Sequence, residues 1–174
     1  MPFNQWYAPL ITLQAAGPAV ASTSQSSVLN GQAKFTLPAQ YLEYVGQKLK
    51  IRAGGILTTA ASSPGTIAWS VMLGSTAVYA GGASGTLATS QTNVPWVIEI
   101  DLTVRAVGSG TSATLEGSGR FTSVALSATT PIQIMACPGD LTGFDSTIAN
   151  VVDLQVTLGS ASDSLTCEDY ELIG

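Results

Sequence analysis

From residue 96 to residue 107 the even positions Trp96, Ile98, Ile100, Leu102, Val104 and Ala106 are all apolar, with Glu99, Asp101, Thr103 and Arg105 set between them. Successive side chains of a β-strand point to opposite faces, so a two-residue period gives one strand face to a core and the other to water. At 3.3 Å per residue the run extends ~40 Å. Nowhere does the chain show a sustained 3.6-residue period.

The same alternation recurs. Residues 47–53 turn Leu49, Ile51 and Ala53 one way and Lys48, Lys50 and Arg52 the other, which puts half of all the positive charge on one strand face. Residues 66–73 bury Ile67, Trp69, Val71 and Leu73, and residues 151–158 bury Val152, Leu154, Val156 and Leu158. Residues 111–121 read as a bent strand, because Gly117 and Gly119 share the face of Ala113, Leu115 and Phe121, and glycine inside a strand marks a bulge or a close backbone approach. Residues 33–37, 132–136 and 165–173 complete the set, the last reached through the turn Ser160-Ala161-Ser162-Asp163. Gly-, Ser- and Thr-rich stretches at 58–65, 80–93 and 107–112 read as loops, and residues 39–45, after Pro38, as one helical turn. Many short strands with turns between them predict an all-β fold, an antiparallel β-sandwich of jelly-roll-like type. Residues 26–174 form its single domain. Residues 1–25, apolar at Phe3, Trp6, Tyr7, Leu10, Ile11 and Leu13 without clean alternation, form an N-terminal arm or a first strand.

Composition narrows the partners. Only 10% of residues are charged against 45% hydrophobic, so the chain folds but presents a weakly charged, hydroxyl-rich surface. Six Lys and Arg in a chain of net charge −5 leave no basic stripe to displace phosphate counterions, which argues against a nucleic-acid partner. Without the ~20 consecutive apolar residues of a membrane span or a basic start before Phe3, the expectation is a protein made in a cytoplasm with no membrane partner. In a reducing compartment Cys137 and Cys167 are expected as free thiols; a disulfide between them would contribute ~3 to 4 kcal/mol.

Histidine is absent, which removes the commonest general base and metal ligand. Glu99-Ile100-Asp101 places two carboxylates on one strand face about 7 Å apart, a spacing used in glycoside hydrolysis. The stretch resembles part of the Glu-x-Asp-x-x-Glu strand of jelly-roll β-glucanases, but Val104 stands where the second glutamate belongs. The pair is therefore read as solvating the sheet and meeting Lys48, Lys50 or Arg52 across strands. Asp140, Asp145 and Asp153 do not match a calcium loop and read as solvated loop residues; Gly108-Ser109-Gly110 and Gly117-Ser118-Gly119 open no helix and cradle no phosphate. No catalytic residue, metal site or cofactor is expected, and the chain reads as a non-enzyme. Trp69 and Trp96 are in phase with apolar faces, which leaves Trp6, Tyr7, Tyr41, Tyr44 and Tyr79 for stacking on sugar rings.

Two stretches carry a likeness. Leu37-Pro38-Ala39, then Tyr41, then Val45-Gly46-Gln47-Lys48-Leu49-Lys50-Ile51 and Gly54 form the first; Phe144-Asp145-Ser146-Thr147 and Val152-Asp153-Leu154, leading to Leu158-Gly159-Ser160-Ala161-Ser162, form the second. Together the chain resembles small jelly-roll virion proteins of tailed phages of actinobacteria and related hosts, with Leu158 where that group has tryptophan. The resemblance implies a capsid decoration (cement) protein on the virion surface, assembled in the host cytoplasm, partnered by the major capsid protein and by itself as a homotrimer. Phe3, Trp6, Tyr7 and Leu10 are the expected contact anchors. The alternative is a tail-associated receptor- or glycan-binding module that uses Tyr41 and Tyr79.

Overall fold

A computed structural model describes residues 7–127, 131–136 and 143–174. Eleven antiparallel strands run in the order β1 (Pro9–Thr12), β2 (Ser26–Ser27), β3 (Phe35–Leu37), β4 (Lys48–Thr58), β5 (Thr66–Leu73), β6 (Thr76–Thr86), β7 (Val94–Ala106), β8 (Thr114–Ser123), β9 (Ile132–Ala136), β10 (Asn150–Leu158) and β11 (Ser164–Ile173). A six-stranded sheet, β1-β11-β4-β7-β8-β9, packs on a five-stranded one, β2-β10-β5-β6, with β3 beside β2 on the same edge of β10. The fold is an all-β antiparallel sandwich with no helix among the described residues. Its two nested pairs, β4 with β11 and β5 with β10, join early strands to late ones as in a rolled ribbon, and the hairpins β7-β8 and β8-β9 extend the larger sheet as a meander.

The alternating runs fix which side faces in. Leu49, Ile51, Ile98, Ile100, Leu102 and Val104 of the larger sheet meet Ile67, Trp69, Val71, Val152, Leu154 and Val156 of the smaller in one buried cluster. At its centre the Trp69 and Trp96 rings lie 5.0 Å apart and Phe121 packs 5.7 Å from Trp69, tilted contacts that aromatic quadrupoles favour. Trp96 Nε1–H donates to the Ile56 carbonyl at 3.1 Å.

Three local expectations change. Residues 39–45 are not a helical turn: Tyr41 N–H donates to the Pro38 carbonyl and Gln47 N–H to the Tyr44 carbonyl, closing two β-turns whose third residues, Gln40 and Gly46, have φ of 62° and 93°. That pattern is the type II turn, which requires positive φ at its third residue. Residues 80–86 are strand rather than loop, because β6 continues to Thr86 through three register shifts against β5. Residues 111–113 precede β8, and the glycines inside it answer a close approach: a Cβ on Gly117 would sit 2.5 Å from Tyr79 Cδ2, and one on Gly119 would sit 2.9 Å from the Tyr79 hydroxyl. Tyr79 is thus a buried ring under β8, with its hydroxyl donating to the Met135 carbonyl at 3.1 Å.

Residues 9–20 run along β11, and Ser22 then passes to β10, where its carbonyl accepts Leu158 N–H. β1 pairs with Glu171, Leu172 and Ile173, Leu13 N–H donates to the Tyr170 carbonyl, Gly17 N–H to the Cys167 carbonyl, and Val20 bridges Leu165. Ala8 and Gly174 exchange backbone hydrogen bonds, so residue 8 and the last residue are neighbours.

Candidate functional site

Two buried carboxylates hold loops to the sandwich. Asp163, fully buried, accepts Ala60 N–H at 2.8 Å and Gly65 N–H at 2.9 Å, which ties the β4–β5 connection to the β10–β11 turn. Asp153 lies on the outward side of β10 yet is buried, because Ser27 Oγ (2.6 Å), Lys34 Nζ (3.0 Å) and Gln155 Nε2 (2.8 Å) close over it. Each satisfies its acceptor oxygens internally, so both carboxylates are structural. Asp145 anchors another turn: the Thr147 hydroxyl first, then the Gly110 and Thr147 N–H groups, hold its carboxyl below the usual carboxylate range. Asp140 lies outside the described residues. Among those described, no group of three or more potential ligands comes together to hold a metal.

Glu99 and Asp101 lie on the outer face of the larger sheet, in separate ion pairs. Arg120 Nε meets Glu99 Oε2 at 2.6 Å, and Lys50 Nζ meets Asp101 Oδ1 at 3.4 Å. Arg52, opposite Glu99 in register, is not the partner that the ion pair selects. Val104 is buried, so no third carboxylate stands on that stretch. The depressions over this face are open and are lined in part by these ion-paired side chains.

Burial also sorts the other candidates. The Cys167 thiol is fully buried, and burial above all pushes its pKa up to about 12, which makes it an unreactive core side chain; Cys137 lies outside the described residues. Burial pushes the Tyr170 hydroxyl up strongly, and the neighbouring Asp153 and Cys167 charges add to it. Tyr79, being buried, offers no sugar platform, which corrects that expectation. Tyr41 is half-buried beside the C-terminal Gly174, and burial together with Tyr44 raises its pKa. Phe3 and Trp6 lie outside the described residues. Tyr7 is half-exposed, with the Lys50 ammonium 5.4 Å from its ring centre, while Leu10 is half-buried against the core and so serves the edge of the sheet as much as any partner.

One end of the sandwich gathers what lies far apart in sequence. Leu37, Pro38, Tyr41 and Leu42 meet Phe144, Ser146, Ile148 and Asn150 in a crevice with no free volume. The Gln47 side chain spans the first of these loops, its Oε1 accepting Glu43 N–H at 3.1 Å and its Nε2 donating to the Tyr41 carbonyl at 2.8 Å. Ser146 N–H donates to the Gly108 carbonyl at 3.0 Å and so brings in the β7–β8 loop. Around this packed base Val45, Val107 and Ile148 stand exposed, and a shallow depression of about 220 Å³ runs past Gln40, Glu43, Val107 and Thr147. Nothing local in the sequence marks these three aliphatics as one surface, because they lie in three loops about 40 to 100 residues apart. No family model and no curated protein matches the sequence.

Proposed function

We propose that this chain is a non-enzymatic structural protein of a bacteriophage virion, a decoration protein whose loop end, residues 38–47, 107–112 and 143–149, grips the major capsid protein. One observation carries the reading. The two stretches of the resemblance, around Leu37-Pro38-Ala39 and around Phe144-Asp145-Ser146-Thr147, meet at this single end and hold up an apolar rim of Val45, Val107 and Ile148. An exposed apolar rim beside a surface of ion-paired charge suits adhesion, in which burial of apolar area supplies the free energy at ~25 cal/mol per Å².

The test is occupancy on particles assembled without this chain and then incubated with it. Ile148→Lys is expected to lower binding about tenfold, or about 1.4 kcal/mol, with an unchanged melting temperature. Deleting residues 1–6, which removes Phe3 and Trp6 while keeping β1, is expected to lower occupancy further. A longer deletion is less informative, because residues 9–12 are an integral strand. Full occupancy by a variant carrying both Val45→Lys and Ile148→Lys would sink the assignment of the loop end.

A further inference from the structure

Among the described residues the two sheets leave four edges, and three are blunted. β1 is four residues long, opens with Pro9 and changes register after it; β2 and β3 are two and three residues long; β6 shifts register three times. Such features keep strand edges from pairing with other chains. β9 has none of them. Its five residues, Ile132-Gln133-Ile134-Met135-Ala136, pair with β8 without a shift and include no charge and no proline.

The hydrogen-bond alternation shows which groups this edge presents. Ser123 N–H donates to the Pro131 carbonyl at 2.9 Å, so Pro131, Gln133 and Met135 turn their backbone groups toward β8, and Ile132 and Ile134 turn theirs to the open side. Among the described residues these outward groups meet only the Gln133 side-chain amide, 3.3 Å from the Ile134 carbonyl. The side chains of Ile134 and Ile132 are 78% and 50% exposed on the sheet's outer face, with exposed Val97 in the row of Ile132.

We propose that β9 pairs antiparallel with β9 of a second copy, about a two-fold axis at Ile134, joining two six-stranded sheets into one. The strand fits itself. In that register Ile134 faces Ile134, Ile132 faces Ala136 and Gln133 faces Met135, so no charge opposes a like charge although each copy carries −5. In the same row Arg120 is held by Glu99. The two Arg120 would lie three strand spacings apart, about 14 Å, beyond the ~8 Å screening length. A partner with acidic or basic side chains at alternate positions would set charge against Ile132 and Ile134, whereas in this register Ile134 is covered by its own copy and Ile132 meets no charge. The contact uses one patch on both copies and therefore closes at two. It differs from the trimer that the family resemblance implies, and it does not depend on the capsid reading.

Two five-residue strands bury less than the ~1,600 Å² of a standard interface, so dissociation is expected in the roughly micromolar to submillimolar range. Sedimentation equilibrium of the full chain across that range, combined with amide hydrogen exchange, tests the proposal. The expected result is a monomer–dimer equilibrium in which the Ile132 and Ile134 amides gain protection with concentration. Ile134→Lys should give a monomer of unchanged melting temperature, with Ile132→Lys as the substitute if that variant misfolds, while Ile148→Lys still dimerises. A monomer at every concentration, a trimer, or a dimer that survives these β9 substitutions would overturn it, whatever the particle-binding result.

Discussion

The two outer faces of the sandwich are built from the same alternation and spend it differently. On the larger sheet the outward positions include Lys48, Lys50, Arg52, Glu99, Asp101, Arg105, Glu116, Arg120 and Glu171, with ion pairs Lys50–Asp101, Arg105–Glu116 and Arg120–Glu99, and the aliphatics Val97, Ile132 and Ile134 toward the β9 edge. On the smaller sheet they are Ala68, Ser70, Met72, Ala77, Ala80, Gln155 and Thr157, and the one charge, Asp153, is covered by Lys34, Ser27 and Gln155. Many exposed charges and one buried charge are not equivalent. Water screens each pair on the first face, so each contributes little; on the second the clasp substitutes for water, and losing it strands several polar groups at once. The ion pairs keep the broad face soluble, while the clasp fixes where β2 and the residue before β3 sit.

The strongest way to break this comparison is to remove one charge from each face. Asp153→Ala is expected to cost about 3 kcal/mol in urea denaturation, and Asp101→Ala no more than about 0.5. Equal losses would mean that the clasp is no better than a surface pair. Alkali sharpens the contrast, because the Asp153 charge reaches through the core to Tyr170. Cys167 and Tyr170 both hold their protons to higher pH folded than unfolded, Cys167 from 9.0 up to about 12. Their contribution is whole below about pH 9 and is lost as pH climbs toward 12, so stability falls by on the order of 2 kcal/mol by about pH 11. Chemical denaturation at stepped pH checks this, and Asp153→Asn should soften the decline. The smallest effect is salt: raising it to about 1 M should change the stability of the wild-type chain by roughly 0.5 kcal/mol or less, because the ion pairs it screens are exposed.

How much of this could be read from the chain depended on whether the signal was local. β5, β9 and β10 lie within a residue of their expected bounds, and β7 and β4 hold all of their alternating runs but the end residues 107 and 47, because period-two burial is written in adjacent residues. β6 was hidden, since Gly81, Gly82 and Gly85 and three register shifts erase the alternation over residues that read as a loop. Tyr79 looked available for the same reason, and only the opposing Gly117 and Gly119 explain its burial. The clasps of Asp153 and Asp163 join residues about a hundred positions apart, which no window of sequence displays. The rim of Val45, Val107 and Ile148 is a product of topology: three loops far apart along the chain arrive at one end.

The nesting of β4 between β7 and β11 sets an order of events in synthesis. β4 emerges from the ribosome early, but its second partner, β11, is made about a hundred residues later, and β5 likewise waits for β10. A chain translated at ~5 to 20 residues per second must hold these apolar strands open for several seconds before their partners are made, and slow folding is expected, as for other proteins of high contact order. Truncating β11 should therefore prevent folding altogether, because it removes the strand that lies between β1 and β4.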